Sequence, residues 1–307
     1  MQTIVRDLRD RTHYFADRDL LDNLEWFEAG PNNDRLVTRE SARNFRNALD
    51  ACVSNTQAGP SSLPPRFPPP ATLSAVVRLS TQQYSLTSCG NWDPESQDAP
   101  SLAFTMSRAL AEDPFVPQLA GDFQAGMNNL ERVCARLFGM RGDPQPAVGA
   151  VAGLNLHSQL RIYHKVFQTQ DRIPAGGEES SESGTAETVE FKLEDWPLRH
   201  AEARPELEKL KGTHFVVPLP AYDQAGELIR PTRYEEQLKG AIVRLFFGVR
   251  HWTDKNNHAF TADIQSIRVL VPPPSPNAGQ FTRKRVARFD DYVVEPSSAR
   301  KKARQNI

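Results

Sequence analysis

The chain has little cysteine: only Cys52, Cys89 and Cys134, far apart and odd in number. That argues against a disulfide framework or a CxxC metal site and fits a reducing compartment. There is no run of about 18 apolar residues, the length a membrane-spanning helix needs. The start, MQTIVRDLRDRTHYF, carries charge throughout and lacks an apolar stretch, so no signal peptide is expected. Neither sign of charge dominates. The net charge is −1, so the total names no partner and only the distribution can. Catalytic signatures are missing too, with no GxSxG, Walker A loop, GxGxxG or HExxH. Asp223, Asp254, Asp263, Asp290 and Asp291 are scattered, with no fixed geometry for a metal. No catalytic residue, metal site or cofactor is therefore assigned.

What is present divides the chain. With 307 residues, about two domains are expected, and 39% hydrophobic content allows a real core. The 24 prolines and several polar tracts suggest that ordered and disordered parts alternate. Residues 1–53 read as helices. Leu20, Leu21, Leu24 and Phe27 fit a helical stripe ending at Gly30-Pro31, and Thr38 is a candidate N-cap for a second helix carrying Ala42, Phe45, Leu49 and Val53 on one face. Arg39, Arg43 and Arg46 form a basic face there, either solvated among nearby acids or in contact with nucleic acid. Residues 54–70, ending PPRFPPP, read as an extended Pro-rich linker, with a ligand for an SH3 or WW module as the other reading.

Residues 71–170 form a mixed α/β region: a strand from Leu73 to Leu79, helices over 101–110 and 126–138, and a short β-like stretch with Leu160, Ile162 and Val166. Cys134 lies beside an apolar helix stripe and is expected to be buried. Residues 171–188 are acidic and nearly free of apolar side chains, as a disordered linker should be. From 189 the β-pattern returns, with Val189, Phe191 and Leu193 alternating, a short helix from Arg204 to Leu210 opened by Pro205, and THFVVPL as a further strand.

Leu238 to Pro274 is the most informative stretch. Val243, Leu245, Phe247 and Val249 alternate as a core face, while Arg244, Phe246, Gly248, Arg250 and Trp252 make up the other. The polar turn Thr-Asp-Lys-Asn-Asn-His follows, and then a second strand whose alternation slips at Gln265-Ser266, the mark of a bulge. His251 and His258 flank the turn and read as a core-side and a loop histidine. Pro272 to Pro274 ends the pairing. The inventory suits an α+β chain: a small OB-like antiparallel β-barrel at 189–274, a mainly helical and mixed N-terminal region, and disordered linkers and tail.

The run YEEQLKGAIVRLFFGVRHWTDKNNHAFTADIQSIRVLVPP resembles the core strands of single-stranded-DNA-binding OB-fold proteins of the phage type. The matching positions are Gly240, Val243, Trp252, Phe260, Ala262, Ile264 and Ile267, and THFVVPLPAYD resembles an earlier strand. The resemblance spans 189–274 and implies single-stranded nucleic acid as partner, with DNA ahead of RNA. Those phage proteins tend to end in an acidic tail, whereas this chain ends in a basic one.

Independently of any family, single-strand binding needs rings for bases and cations for phosphates. Arg244, Phe246, Arg250 and Trp252 supply both along one strand face, and Lys255 and Arg268 extend it. The alternative for that face is burial of its rings under a second layer. Residues 275–307 form a basic tail. Its Arg283, Lys284, Arg285, Arg300, Lys301 and Lys302 resemble a bipartite nuclear-import signal, suggest a nuclear location, and would also contact phosphate backbone. Two other readings stand beside single-strand binding: a protein-interaction scaffold using the barrel and Pro-rich linker, and a metal-dependent nuclease; a protein partner or a homo-oligomer is a further partner reading.

Overall fold

In the computed structural model the described residues are 1–54, 65–96, 101–141, 159–170, 191–254 and 257–274. The linkers expected at 54–70 and 171–188 fall largely outside them, as does the tail at 275–307. Residues 1–273 form one compact unit.

The elements run in chain order as α1 (Gln2–Arg11), β1 (His13–Tyr14), β2 (Leu24–Gly30), β3 (Asn33–Thr38), α2 (Arg39–Ser54), β4 (Leu73–Leu79), β5 (Ser107–Glu112), α3 (Asp122–Arg141), β6 (Leu160–His164), β7 (Phe167–Thr169), α4 (Arg204–Leu210), β8 (His214–Val216), β9 (Ala221–Tyr222), α5 (Tyr234–Leu238), β10 (Ile242–Asp254) and β11 (Asn257–Val271). The fold is α+β, with helices around a nine-stranded mixed sheet. The β-structure expected within 189–274 is not confined there: β4, β5 and β6 lie before it, and segments from both halves of the sequence build this one sheet. Within it the pairing β4–β5–β6–β11–β10 returns to β4, so five strands are hydrogen-bonded in a ring. All neighbours in the ring are antiparallel except β6 and β11, which are parallel. The hairpin β2–β3 extends the sheet from the far half of β10, and β9 pairs beside β11.

Periodicity explains the ring. Leu73, Ala75 and Val77 of β4, Val243, Leu245, Phe247 and Val249 of β10, and Phe260 and Ala262 of β11 share one apolar cluster with Met127, Leu130 and Leu137 of α3. Burying each large side chain of this kind contributes about 1.5–3 kcal/mol relative to exposure. Gly126 lets α3 approach the chain before it, since a Cβ there would overlap the Phe15 ring. The slip expected at Gln265-Ser266 is present: Phe246 pairs with Ser266 and Phe247 with Ile264, leaving Gln265 as the extra residue of a bulge. Thr38 caps α2 as expected, its Oγ1 accepting the Ser41 amide at 3.1 Å. Cys134 is buried, and burial raises its thiol pKa, mainly by desolvating the thiolate.

Three expectations of local secondary structure also fail. The helical stripe over 20–27 is a short 3₁₀ turn followed by β2, whose Leu24 and Trp26 face the core while Phe27 faces outward. Asn32, at φ 60°, turns the chain into β3. The helix expected over 101–110 is replaced by a 3₁₀ turn and β5, because Ala109 and Ala111 fill the ring interior opposite β6 and tertiary pairing overrides helix propensity. The strand expected at 189–193 is an irregular turn over its described part. Its Leu193 joins Trp196 in a satellite cluster with Trp92, Phe167 and Leu207.

Candidate nucleic-acid interface

The outward side chains of the ring fall into rows that cross several strands. Ile162 pairs with Ala262, placing Arg161 beside Thr261; Thr261 is opposite Arg250, Arg250 opposite Arg35, and Arg35 opposite Phe27. A neighbouring row runs through Arg108, Tyr163, Asp263 and Gly248. Trp252, opposite Ala259 and Asn33, flanks the first row and is 46% exposed. Arg108 and Arg250 are exposed, and Arg161, Tyr163 and Arg35 are half-buried.

The electrostatics of this face are unbalanced. Like charges directly opposite each other on paired strands are destabilising. Burial, followed by the charge of Arg250, lowers the pKa of Arg35, and its Nε is buried without a hydrogen-bond partner. Arg250 is ion-paired to Asp263, which offsets part of the repulsion. An anion lying across both guanidinium groups would offset the rest.

A polar cluster braces the same half of β10 from behind. His251 is fully buried, with Nδ1 2.7 Å from Asp34 Oδ2 and Nε2 3.0 Å from His258 Nδ1. Arg141 donates to both oxygens of Asp34, at 2.9 and 2.7 Å. Burial opposes ionisation of Asp34, but the hydrogen bonds from His251 and Arg141 outweigh it and hold the carboxyl below its ordinary value. With Asp34 ionised, His251 donates to it from Nδ1, and its other ring nitrogen shares a hydrogen bond with His258 Nδ1. His251 is core-side as expected, whereas His258 lies on β11 rather than in a loop.

The residues singled out in the sequence separate. Arg250 and Trp252 lie together on the open face. Phe246 packs against the cluster of Val5, Leu8, Tyr14, Val76 and Leu119 under α1. Arg244 reaches Asp7 of α1 at 3.5 Å, and its Nε is buried without a partner. Arg268 is exposed beside the 222–226 turn, 3.4 Å from the Gln224 carbonyl. Gly248 does not leave room for a ligand: a Cβ there would lie 3.1 Å from Gln265 Nε2 and 3.5 Å from Pro70. The Lys255 side chain and Arg283, Lys284, Arg285, Arg300, Lys301 and Lys302 lie outside the described residues.

Of the scattered aspartates, Asp223 caps a turn by accepting the Gly226 and Glu227 amides, and Asp263 is held by Arg250. Among the described residues no group of three or more His, Cys, Asp or Glu is placed to hold a metal ion.

Arg35, Arg108, Arg161 and Tyr163 were not singled out in the sequence. The alternation Leu160-Arg161-Ile162-Tyr163 carried a signal for two of them, since a strand with apolar residues at every second position turns the others outward. Arg35 was hidden by the helical reading of its neighbours.

No protein-family model matches the chain, and neither does any curated protein. Solved structures that match include the single-stranded DNA-binding protein from bacteriophage Enc34 with its C-terminus truncated. It is 11% identical with a TM-score of 0.32, over 80% of this chain and 93% of that one. The same phage protein in complex with single-stranded DNA matches at 10% identity and a TM-score of 0.30, over 81% and 96%.

Proposed function

We propose that this chain binds single-stranded nucleic acid, DNA in preference to RNA, on the outer face of an OB-like barrel formed by β4, β5, β6, β10 and β11. The observation that carries the reading is the Arg161–Arg250–Arg35 row beside the open ring of Trp252. Two facing guanidinium groups with incomplete counter-charge suit a bridging phosphate, and an exposed indole suits a base stacked without regard to sequence. The ring order, with its single parallel pair, supports the barrel reading. The basic segments at 283–285 and 300–302 fit the same reading as further phosphate contacts and as a nuclear-import signal.

The test is fluorescence anisotropy with a labelled, unstructured DNA strand at two salt concentrations, with an RNA strand of the same sequence in parallel. Two phosphates on this row, one bridging Arg35 and Arg250 and one at Arg161, predict a slope of about −1.4 in log K against log salt, at roughly −0.7 per contact. Salt-insensitive binding, or none, overturns the proposal. Magnesium-dependent cleavage of the strand would assign the chain to a nuclease instead.

A further inference from the structure

Outside the five-stranded ring, three aromatic rings gather into an apolar cluster with one ring exposed. Phe27 of β2 has the ring of Phe45, from α2, 5.2 Å away edge-on, and that of Phe67 6.0 Å away. Phe45 and Phe67 are 5.7 Å apart and tilted by 31°. Phe67 is 55% exposed, while Phe27 and Phe45 are half-buried and support it. Phe67 precedes Pro68, Pro69 and Pro70, and this short strap is pinned to the sheet. Pro68 is buried, Pro70 packs over Gly248, and the Ala71 amide donates to the Leu36 carbonyl at 2.8 Å. Proline restricts the strap's backbone, so the Phe67 ring is held out at little further entropic cost.

The register places this cluster. Phe27 is opposite Arg35, which is opposite Arg250, so the three rings begin where the arginine row ends. Arg161 to Phe27 spans four strand spacings, roughly 19 Å at about 4.8 Å each. The charge beside the rings is largely cationic on this side: Arg35 and Arg250 along the row, and Arg46, which holds the acidic Glu25 in an ion pair. Glu28 is the remaining acid next to Phe27 along β2 and is exposed. A rigid ring at the end of a cationic row has the chemistry a base and its phosphate require. A purely apolar partner would leave the Arg35 charge, and whatever part of the Arg250 charge Asp263 does not offset, unmatched at its border.

We infer that Phe27, Phe45 and Phe67 form a second stacking platform, which takes bases of the same single strand after it has crossed the Arg161–Arg250–Arg35 row. This rests on the single-strand reading above and extends it. The bound strand leaves the barrel over β3 and β2, and the site is longer than the ring alone provides.

The experiment titrates the full chain with labelled DNA strands of about 6 and about 16 nucleotides, within the range such a ring engages. The variants are Phe67→Ala, Phe67→Trp and Trp252→Ala, with the fold checked by thermal melting and the oligomeric state by sedimentation. Loss of one stacked base predicts at least about five-fold weaker binding of the longer strand by Phe67→Ala, with an unchanged salt slope. The shorter strand, held by the row and Trp252, changes less than two-fold, and Phe67→Trp restores the longer strand. Trp252→Ala weakens both lengths. If the unsubstituted chain binds both strands and Phe67→Ala changes neither, the platform is overturned and the single-strand function stands. If the unsubstituted chain binds neither, both fall. A change in oligomeric state with DNA affinity intact assigns the rings to a contact with a second copy and also overturns the platform.

Discussion

The two halves of β10 carry the same outward pattern and meet opposite fates. From Ile242 to Phe247, an arginine and a phenylalanine point outward and are covered by α1: Phe246 packs with Leu8 and Val5, and Arg244 turns to Asp7. From Gly248 to Asp254, an arginine and a tryptophan point outward and stay open, with Trp252 46% exposed. The covered half rests on apolar contact in front. The open half is braced from behind by the buried Asp34–Arg141–His251 cluster, which leaves its front free for a ligand. An aromatic and cationic face can therefore serve as a binding surface only where no neighbouring element needs it as a floor.

The largest effect that would sharpen this contrast is expected behind the open half. Asp34→Asn leaves the guanidinium of Arg141 and the His251 Nδ1–H without their buried counter-charge, and removing one partner of such a pair costs about 3–5 kcal/mol. Urea unfolding measures it. The pH dependence follows from the direction of the shift. Asp34 is held below its ordinary value of 3.8, so its contribution is complete above that value and is lost as pH falls further. Unfolding curves in acid should show the unsubstituted chain losing its advantage over Asp34→Asn.

Next in size is Leu8→Ala in front of the covered half. Leu8 is 1% exposed, and a cavity there costs about 2–5 kcal/mol. Its DNA affinity, measured well below the melting temperature, should be unchanged. Equal losses of stability and affinity would break the division between the halves.

Trp252→Ala should do the reverse, weakening single-strand binding by about 1–3 kcal/mol with little change in melting temperature. The smallest effect compares two arginines of the same strand. Arg250→Ala should make the log K against log salt slope shallower by about 0.7, as one lost phosphate contact requires. Arg244→Ala should leave that slope unchanged, because Arg244 is mostly buried and its charge is already paired to Asp7.

Much of the scaffold was legible. The alternation of β4, β10 and β11, the bulge at Gln265, the Thr38 cap and the apolar stripe of α3 are local patterns, and local patterns survive into the fold. The β2–β3 hairpin was not legible, because Leu20, Leu21, Leu24 and Phe27 satisfy a period of 3.6 as well as Leu24 and Trp26 satisfy a period of 2. Only pairing of Asn33, Asp34 and Arg35 with β10 decides between them. Of the candidate interface, Arg250 and Trp252 were readable because they share one strand. Arg35, Arg108 and Arg161 come from three other strands, and no short motif records their meeting.

By itself, the sequence determined which side chains of each strand oppose one another across the backbone, since a pleat alternates whatever surrounds it. It also determined that guanidinium groups and rings would share the outward side of β10. Tertiary structure alone decided where that side is open. Exposure depends on what packs in front: α1 covers one end of the strand, while at the other the hairpin carrying Arg35 lines up alongside. Both neighbours lie more than 200 residues away in the chain, beyond the reach of any local pattern.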